Sequence, residues 1–282
     1  MHSRRTTPTD GANRFAPAAT LIANYEKDQN EASRHCEYFG TDWPRHREKC
    51  RLGAASAPQE WLLFGDSHAW ALSESFSRYL ESRGEAGSLV FTHGCMPVLG
   101  LGSRECQSFA LNVVEYLERT QTIRNVALVS IWRQPIEGDF LQGPDGAPMH
   151  GEQRLHVFLH QFHATLERLR RSGKTLVLWE PLPAARKSVP KALAWSLIKG
   201  RDPDVATTRE EHERKFRFMA DAVAGNRDLL KATISPATRL CPKHECMLES
   251  DGVPLYYDNN HPSHSSSNFF AKLIESQLAG VM

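Results

Sequence analysis

At 282 residues the chain is long enough for one large α/β domain with an appendage, or for two small domains. Its 34 basic and 33 acidic side chains leave a formal charge of +1, which excludes a global field able to gather nucleic acid or anionic lipid. Hydrophobic content of 40% and a mean hydropathy of -0.46 describe a packed core rather than a membrane-embedded chain, and no stretch approaches the roughly 18 uninterrupted apolar residues that a spanning helix needs.

Residues 1–30 are polar and read as a linker or loosely docked arm. The opening M-H-S-R-R-T-T-P-T-D-G lacks the apolar core of a secretory signal. Residues 31–57 are rich in charge, aromatics and turn formers, and read as a disulfide-pinned extension ahead of a main domain over 58–282. From Trp61 a regular alternation begins. It predicts a strand over 60–65, a helix over 69–83 with Leu72, Phe76 and Leu80 on one face, and a strand over 87–92. A helix over 105–121 then feeds a strand over 126–132. After a Pro/Gly-rich loop, a helix over 152–172 carries Leu155, Leu159, Phe162, Leu166 and Leu169 as one buried stripe. A strand over 175–180, a helix over 208–224, a short strand near 229–234 and a helix over 264–278 complete the series. Apolar strands alternating with amphipathic helices are what a parallel sheet covered on both faces requires. The expected fold is a three-layer α/β/α sandwich around a central, mostly parallel, five-stranded sheet. Within it, P-K-A-L-A-W-S-L-I-K at 190–199 reads as a buried helix in preference to a lid or docking surface. His156, His160 and His163 have a spacing that can bind metal, but no carboxylate ligand accompanies them and they read as a solvated face.

The six cysteines fall as three local pairs: Cys36 with Cys50, Cys95 with Cys106, and Cys241 with Cys246. Neighbour pairing closes the shortest loops, so disulfides and an oxidising compartment are expected. Zinc competes for the last pair, because Cys241-Pro-Lys-His244-Glu-Cys246 offers three soft ligands at a permitted spacing. No second close ligand pair supports it, and no metal site is assigned. Disulfides in a chain with no signal of its own fit a segment of a longer exported or membrane-anchored protein.

The chemistry concentrates where the first strand stops. In parallel α/β sheets the carboxyl ends of strands line the ligand crevice, which puts Gly65-Asp66-Ser67-His68 at its mouth. Ser67 then opens a helix, whose free N–H groups and dipole favour developing negative charge. A serine hydroxyl needs a base, and Y-Y-D-N-N-H-P-S-H at 256–264 supplies one. Asp258 and His261, three apart, can project to one side, the carboxylate holding one imidazole nitrogen and leaving the other for Ser67. Asp66 reads as an anchor of the turn through backbone N–H groups.

G-D-S-H after the first strand, a glycine-bearing loop after the second at Gly94, and D-x-x-H before the last helix resemble the SGNH, or GDSL-like, hydrolase superfamily. The likeness is closest to the SGNH domains fused behind membrane-embedded acyltransferase family 3 proteins, which O-acetylate bacterial surface polysaccharides. It runs over roughly residues 31–280. It implies Ser67 as nucleophile, His261 as base and Asp258 as its orienter, with the backbone N–H groups of Ser67 and Gly94 as oxyanion donors. The superfamily also presents an asparagine after the third strand; here that region reads Ser130-Ile131-Trp132-Arg133-Gln134. Trp132, Arg133 or Gln134 would have to substitute; Trp132 and Arg133 are expected to face substrate, and His68 to be a structural or substrate-facing neighbour rather than a second base.

The expected activity is a serine-dependent O-acyltransferase acting on a cell-envelope glycan at the periplasmic face of the inner membrane. A carbohydrate esterase with the same triad, or a glycan-binding module with a degraded one, are the alternatives. No cofactor is expected to bind this chain, the acyl donor, such as acetyl-CoA, being used by a membrane partner domain fused to it or docking with it. The isolated domain is expected to be monomeric and to bind no nucleic acid.

Overall fold

The computed structural model describes residues 9–38, 43, 47–137 and 141–281. Helix α1 (Thr9–Tyr25) comes first, followed by two short 3-10 turns and an edge strand β1 (Arg51–Gly53). Strand β2 (Gln59–Gly65) leads into α2 (Ser67–Ser82), β3 (Ala86–Phe91) into α3 (Arg104–Arg119), and β4 (Asn125–Val129) into α4 (Gly151–Arg171). Then come β5 (Thr175–Trp179), α5 (Val189–Lys199), α6 (Arg209–Lys215), α7 (Arg217–Gly225) and β6 (Ala232–Ile234). A short α8 (Pro236–Leu240), the hairpin of β7 (Glu249–Ser250) and β8 (Val253–Pro254), and α9 (Ser267–Leu278) close the chain.

The main sheet has six strands in the order β1-β3-β2-β4-β5-β6. Five are parallel; the sixth, β1, pairs antiparallel with β3 along the edge. The five-stranded expectation therefore missed one strand, and that strand comes from the segment read as an extension. Alternation along each strand divides the core. Trp61 and Leu63 join Leu72, Phe76, Phe270 and Ile274 under α2 and α9, whereas Leu62 and Phe64 join Phe109, Val113, Phe162 and Leu166 under α3 and α4. All of these side chains are buried, each contributing on the order of 1.5–3 kcal/mol by leaving water.

All three neighbour pairs of cysteines are disulfides: Cys36–Cys50, Cys95–Cys106 and Cys241–Cys246. The zinc alternative for the last pair falls with its thiolates. The same holds for His35, Cys36 and Cys50, whose ligand atoms cluster but whose sulfurs are already joined.

Of the linker or docked arm expected over residues 1–30, the described part is docked. Residues 1–8 lie outside the described set, but α1 packs along α5, and Glu26 pairs with Lys191 at 2.8 Å. Beyond it, Asn30 is buried, donating to Ser73 Oγ at 2.7 Å while its carbonyl accepts from the Trp70 indole at 2.9 Å. The predicted helix over 208–224 is two helices broken at Phe216. Helix α5 is only half buried: Ala192 and Ala194 face the protein, while Trp195 is 58% exposed. Of the α4 histidines, His163 meets Asn226 at 2.6 Å.

His212 on α6 gives the fold a measurable acid sensitivity. Burial, with a smaller push from Lys215, lowers its pKa to about 4. An unfolded histidine takes up its proton near pH 6.5, so stability falls as pH drops from 6.5 towards 4. His212→Gln is expected to remove about 2–3 kcal/mol of the stability difference between pH 7 and pH 4.5, measured by urea unfolding at both values.

Candidate active site

Gly65 ends β2 where no side chain fits: a Cβ there would lie 1.7 Å from the Val129 carbonyl oxygen of neighbouring β4. That close approach lets the chain turn sharply, and Asp66 caps α2 by accepting from the His68 N–H at 2.8 Å. Its other carboxylate oxygen accepts from the Ser130 hydroxyl at 2.6 Å and from the Ile131 N–H at 3.0 Å. Asp66 thus ties the loop after β2 to the loop after β4, as well as anchoring its own turn. It is fully buried. Burial alone would raise its carboxyl, but the hydrogen bonds it accepts from the Ser130 hydroxyl and the Ile131 N–H help hold it below the usual carboxylate range.

Ser67 stands in the first turn of α2, where N–H groups have no partner within the helix. Its Oγ lies 2.8 Å from His261 Nε2, although 194 residues separate the two. His261 Nδ1 lies 2.7 Å from Asp258 Oδ2. The second Asp258 oxygen accepts from the backbone N–H groups of Asn260 and His261, each at 2.8 Å. Burial opposes the Asp258 charge, but His261 and those two N–H groups outweigh it and keep the carboxyl below its ordinary range. The Asp258 turn is itself held from outside, since Val189 N–H donates to the Asp258 carbonyl and Ala185 N–H to that of Asn259. Ser67, His261 and Asp258 form one hydrogen-bonded relay.

Two rings pack against His261. Tyr257 stacks at 5.4 Å with planes 10° apart, and His68 lies at 4.6 Å with a 32° tilt. Sequence reading missed Tyr257, whose only signal was its place beside Asp258. Of the two roles expected for His68 the structure gives the structural one: it is 1% exposed and packs against His261, so it does not face substrate. Its Nδ1 is 3.6 Å from Asp66, beyond hydrogen-bond reach, and neither ring nitrogen has a partner. Burial lowers its pKa, keeping it a neutral ring.

Trp132 is corrected. It is fully buried, with its indole N–H on the Trp179 carbonyl at 2.7 Å and its ring against Phe158 and Phe162. Its backbone sits at φ 54, a left-handed conformation that asparagine adopts far more readily than tryptophan. Core packing holds the strain, of order 1–3 kcal/mol. Arg133 is half-exposed and 3.6 Å from Glu137. Gln134 does more: its amide donates to the Gly94 carbonyl at 2.6 Å, linking the β4 loop to the β3 loop. Gly94 itself is exposed at φ 70, and a Cβ there would meet nothing within 4 Å, so its backbone is open to a ligand.

Over residues 35–276 the sequence matches the family model of the SGNH domain that occurs fused to AT3 domains. The chain belongs to that family. SGNH-domain membership supports acyltransferase- or esterase-type activity, and the fusion supports a membrane acyltransferase partner. In fold, the chain is similar to the periplasmic domain of a lipopolysaccharide acetyltransferase of Salmonella ser. Paratyphi A, with a TM-score of 0.65, 16% identity, and coverage of 96% of this chain and 98% of that one. TesA is a more distant likeness, at a TM-score of 0.44, 12% identity, and coverage of 79% of this chain and 100% of TesA. No curated protein matches the sequence. Among the described residues no helix is long and apolar enough to cross a membrane.

Proposed function

We propose that this SGNH domain is a serine-dependent O-acyltransferase, transferring acetyl groups to a bacterial cell-surface polysaccharide through an acyl-enzyme on Ser67. The observation that carries the reading is the relay itself, with Ser67 Oγ 2.8 Å from His261 Nε2 and His261 Nδ1 2.7 Å from Asp258. His261 takes the Ser67 proton as Oγ bonds to the acyl carbonyl carbon. The oxyanion faces the N–H groups of Ser67 and Gly94. On collapse the bond to the leaving group breaks, and that group takes the proton from His261. A sugar hydroxyl then gives its proton to His261 while its oxygen attacks the ester, and Ser67 leaves with the proton restored.

The donor side belongs to a membrane acyltransferase partner, which would use an acyl donor such as acetyl-CoA and present the acyl group to Ser67. Three disulfides support the extracytoplasmic side of the inner membrane as the place of this chemistry. The lipopolysaccharide acetyltransferase likeness adds a glycan acceptor as the expected substrate class.

Intact-mass analysis after exposure to an activated acetyl ester tests the proposal. One acetyl adduct is expected on the unmutated domain and none on Ser67→Ala. Chasing the adduct with oligosaccharide should move the acetyl to sugar; release to water alone would make the domain a carbohydrate esterase. An adduct that persists in Ser67→Ala, or none in the unmutated domain supplied with its membrane partner, would overturn the serine mechanism.

A further inference from the structure

On the reading that Ser67 passes its acyl group to a glycan, we infer that the cleft between α5 and the segment 201–205 binds an acidic oligosaccharide as the acceptor. The cleft holds about 660 Å³, within the range of sites for drug-sized ligands and thus of a short oligosaccharide. Helix geometry builds it. Ser188, Ala192 and Ser196 recur every fourth residue and give a small-residue floor, while Lys191, Trp195 and Lys199 recur at the same spacing beside it as a ridge. Gly200, at φ 66, then reverses the chain, so that Arg201 and Asp202 form part of the opposite wall.

Trp195 is the feature that packing does not explain. The other five tryptophans are each at most 4% exposed, whereas Trp195 is 58% exposed, on a helix that also exposes Leu197. An exposed indole offers a flat apolar face, which complements the C–H face of a pyranose. Lys199 Nζ lies over the ring, 5.6 Å from its centroid, so a cation already sits against one face and a sugar would take the other.

Charge then selects the sugar. Of the lining ions, Lys191 is paired with Glu26, and Asp204 meets Arg186. Because Arg186 is also held by both oxygens of Glu211 at 2.9 Å, it does not neutralise Asp204, which leaves Lys187, Lys199 and Arg201 against Asp202 and Asp204, three cations to two carboxylates. A concave wall with this excess favours carboxylate- or phosphate-bearing sugars over neutral ones. Position ties the cleft to the chemistry: Ser188 lines it, and the next residue, Val189, donates its N–H to the carbonyl of Asp258. The Ser188 end of the cleft therefore adjoins the turn that holds His261, and Trp195 lies six residues beyond Val189, about 9 Å further along the helix.

Trp195 supplies its own probe, being the one well-exposed tryptophan among the six. Acrylamide quenching would be followed in the Ser67→Ala domain while trigalacturonate, maltotriose or phosphatidylglycerol vesicles are added. Trigalacturonate should protect Trp195 saturably and release it at high salt, and maltotriose should not protect it. Lys187→Glu with Arg201→Glu should weaken trigalacturonate binding about tenfold or more, with thermal melts confirming that the variant is folded. Equal protection by maltotriose, no protection by either sugar, or protection by vesicles alone would each overturn the inference. Because Ser67 is absent from the assay, binding here without an acetyl adduct on the unmutated domain would remove the transferase reading alone. An adduct without binding would remove the acidic acceptor alone.

Discussion

Asp258→Asn is expected to lower the rate of acetyl transfer through Ser67 by about 10³–10⁴-fold while the domain stays folded. Asparagine has the same size, and its oxygen can still accept from the backbone N–H groups of Asn260 and His261, which Asp258 Oδ1 takes now at 2.8 Å. Its NH₂ would then replace Oδ2 opposite His261 Nδ1. A donor there forces Nδ1 to accept, which moves the ring proton to Nε2, and Nε2 is the atom that must take the proton from Ser67. The histidine is left in place in the wrong tautomer. Time-resolved intact mass of the acetyl adduct reads the rate, and a melting curve reads the fold. A rate within about tenfold of the unmutated domain would mean that Asp258 only holds the turn and that His261 finds its tautomer elsewhere.

The sequence carried the parts of this arrangement that local chemistry dictates. Strand β2 ends at Gly65 because the sheet approaches too closely for a Cβ, and a glycine followed by a capping Asp is visible in any chain. Asp258 and His261 were legible because three residues of spacing bring them to one side of a turn. The core stripes on α2 and α4 were legible for the same reason of period. What was hidden depended on tertiary partners. Strand β1 is three residues long and exists through its ladder to β3, so it has no period to detect. Helix α1 is alanine-rich, encloses Pro17, and leans on α5. The direction of Trp132 turned on a single left-handed φ, which swings the indole into the core rather than towards substrate. His68 follows Ser67 in the sequence but on a helix points about 100° away from it, under His261. The exposure of Trp195 is likewise a property of what packs on α5, not of its apolar composition.

Asp66→Ala is expected to cost about 4 kcal/mol, or a fall in melting temperature of about 8–15 °C. Three donors converge on this buried carboxylate: the His68 N–H, the Ser130 hydroxyl and the Ile131 N–H. Leaving each without an acceptor costs about 1–3 kcal/mol, and the loss of the helix cap is included in the first. Asp66→Asn should fall between, because its one remaining oxygen can keep the cap and the Ser130 hydroxyl can rotate to accept, but the Ile131 N–H would face a second donor. The pH dependence has a definite sign. Asp66 and Asp258 are both held below the usual carboxylate range, so the stability they add is present above that range and is lost as pH falls through their lowered values. The alanine variant should therefore show a shallower loss of stability in acid than the parent. Calorimetry across pH 7 to pH 3 checks both points, and a cost below about 1 kcal/mol would mean that water replaces the carboxylate. The three disulfides limit how far the damage spreads, but the loop after β4 would lose its tie to the nucleophile turn. Gln134 reaches Gly94 from that loop. The same substitution should therefore slow acylation of Ser67 by displacing Gly94 N–H from the oxyanion, even at temperatures where the domain is still folded.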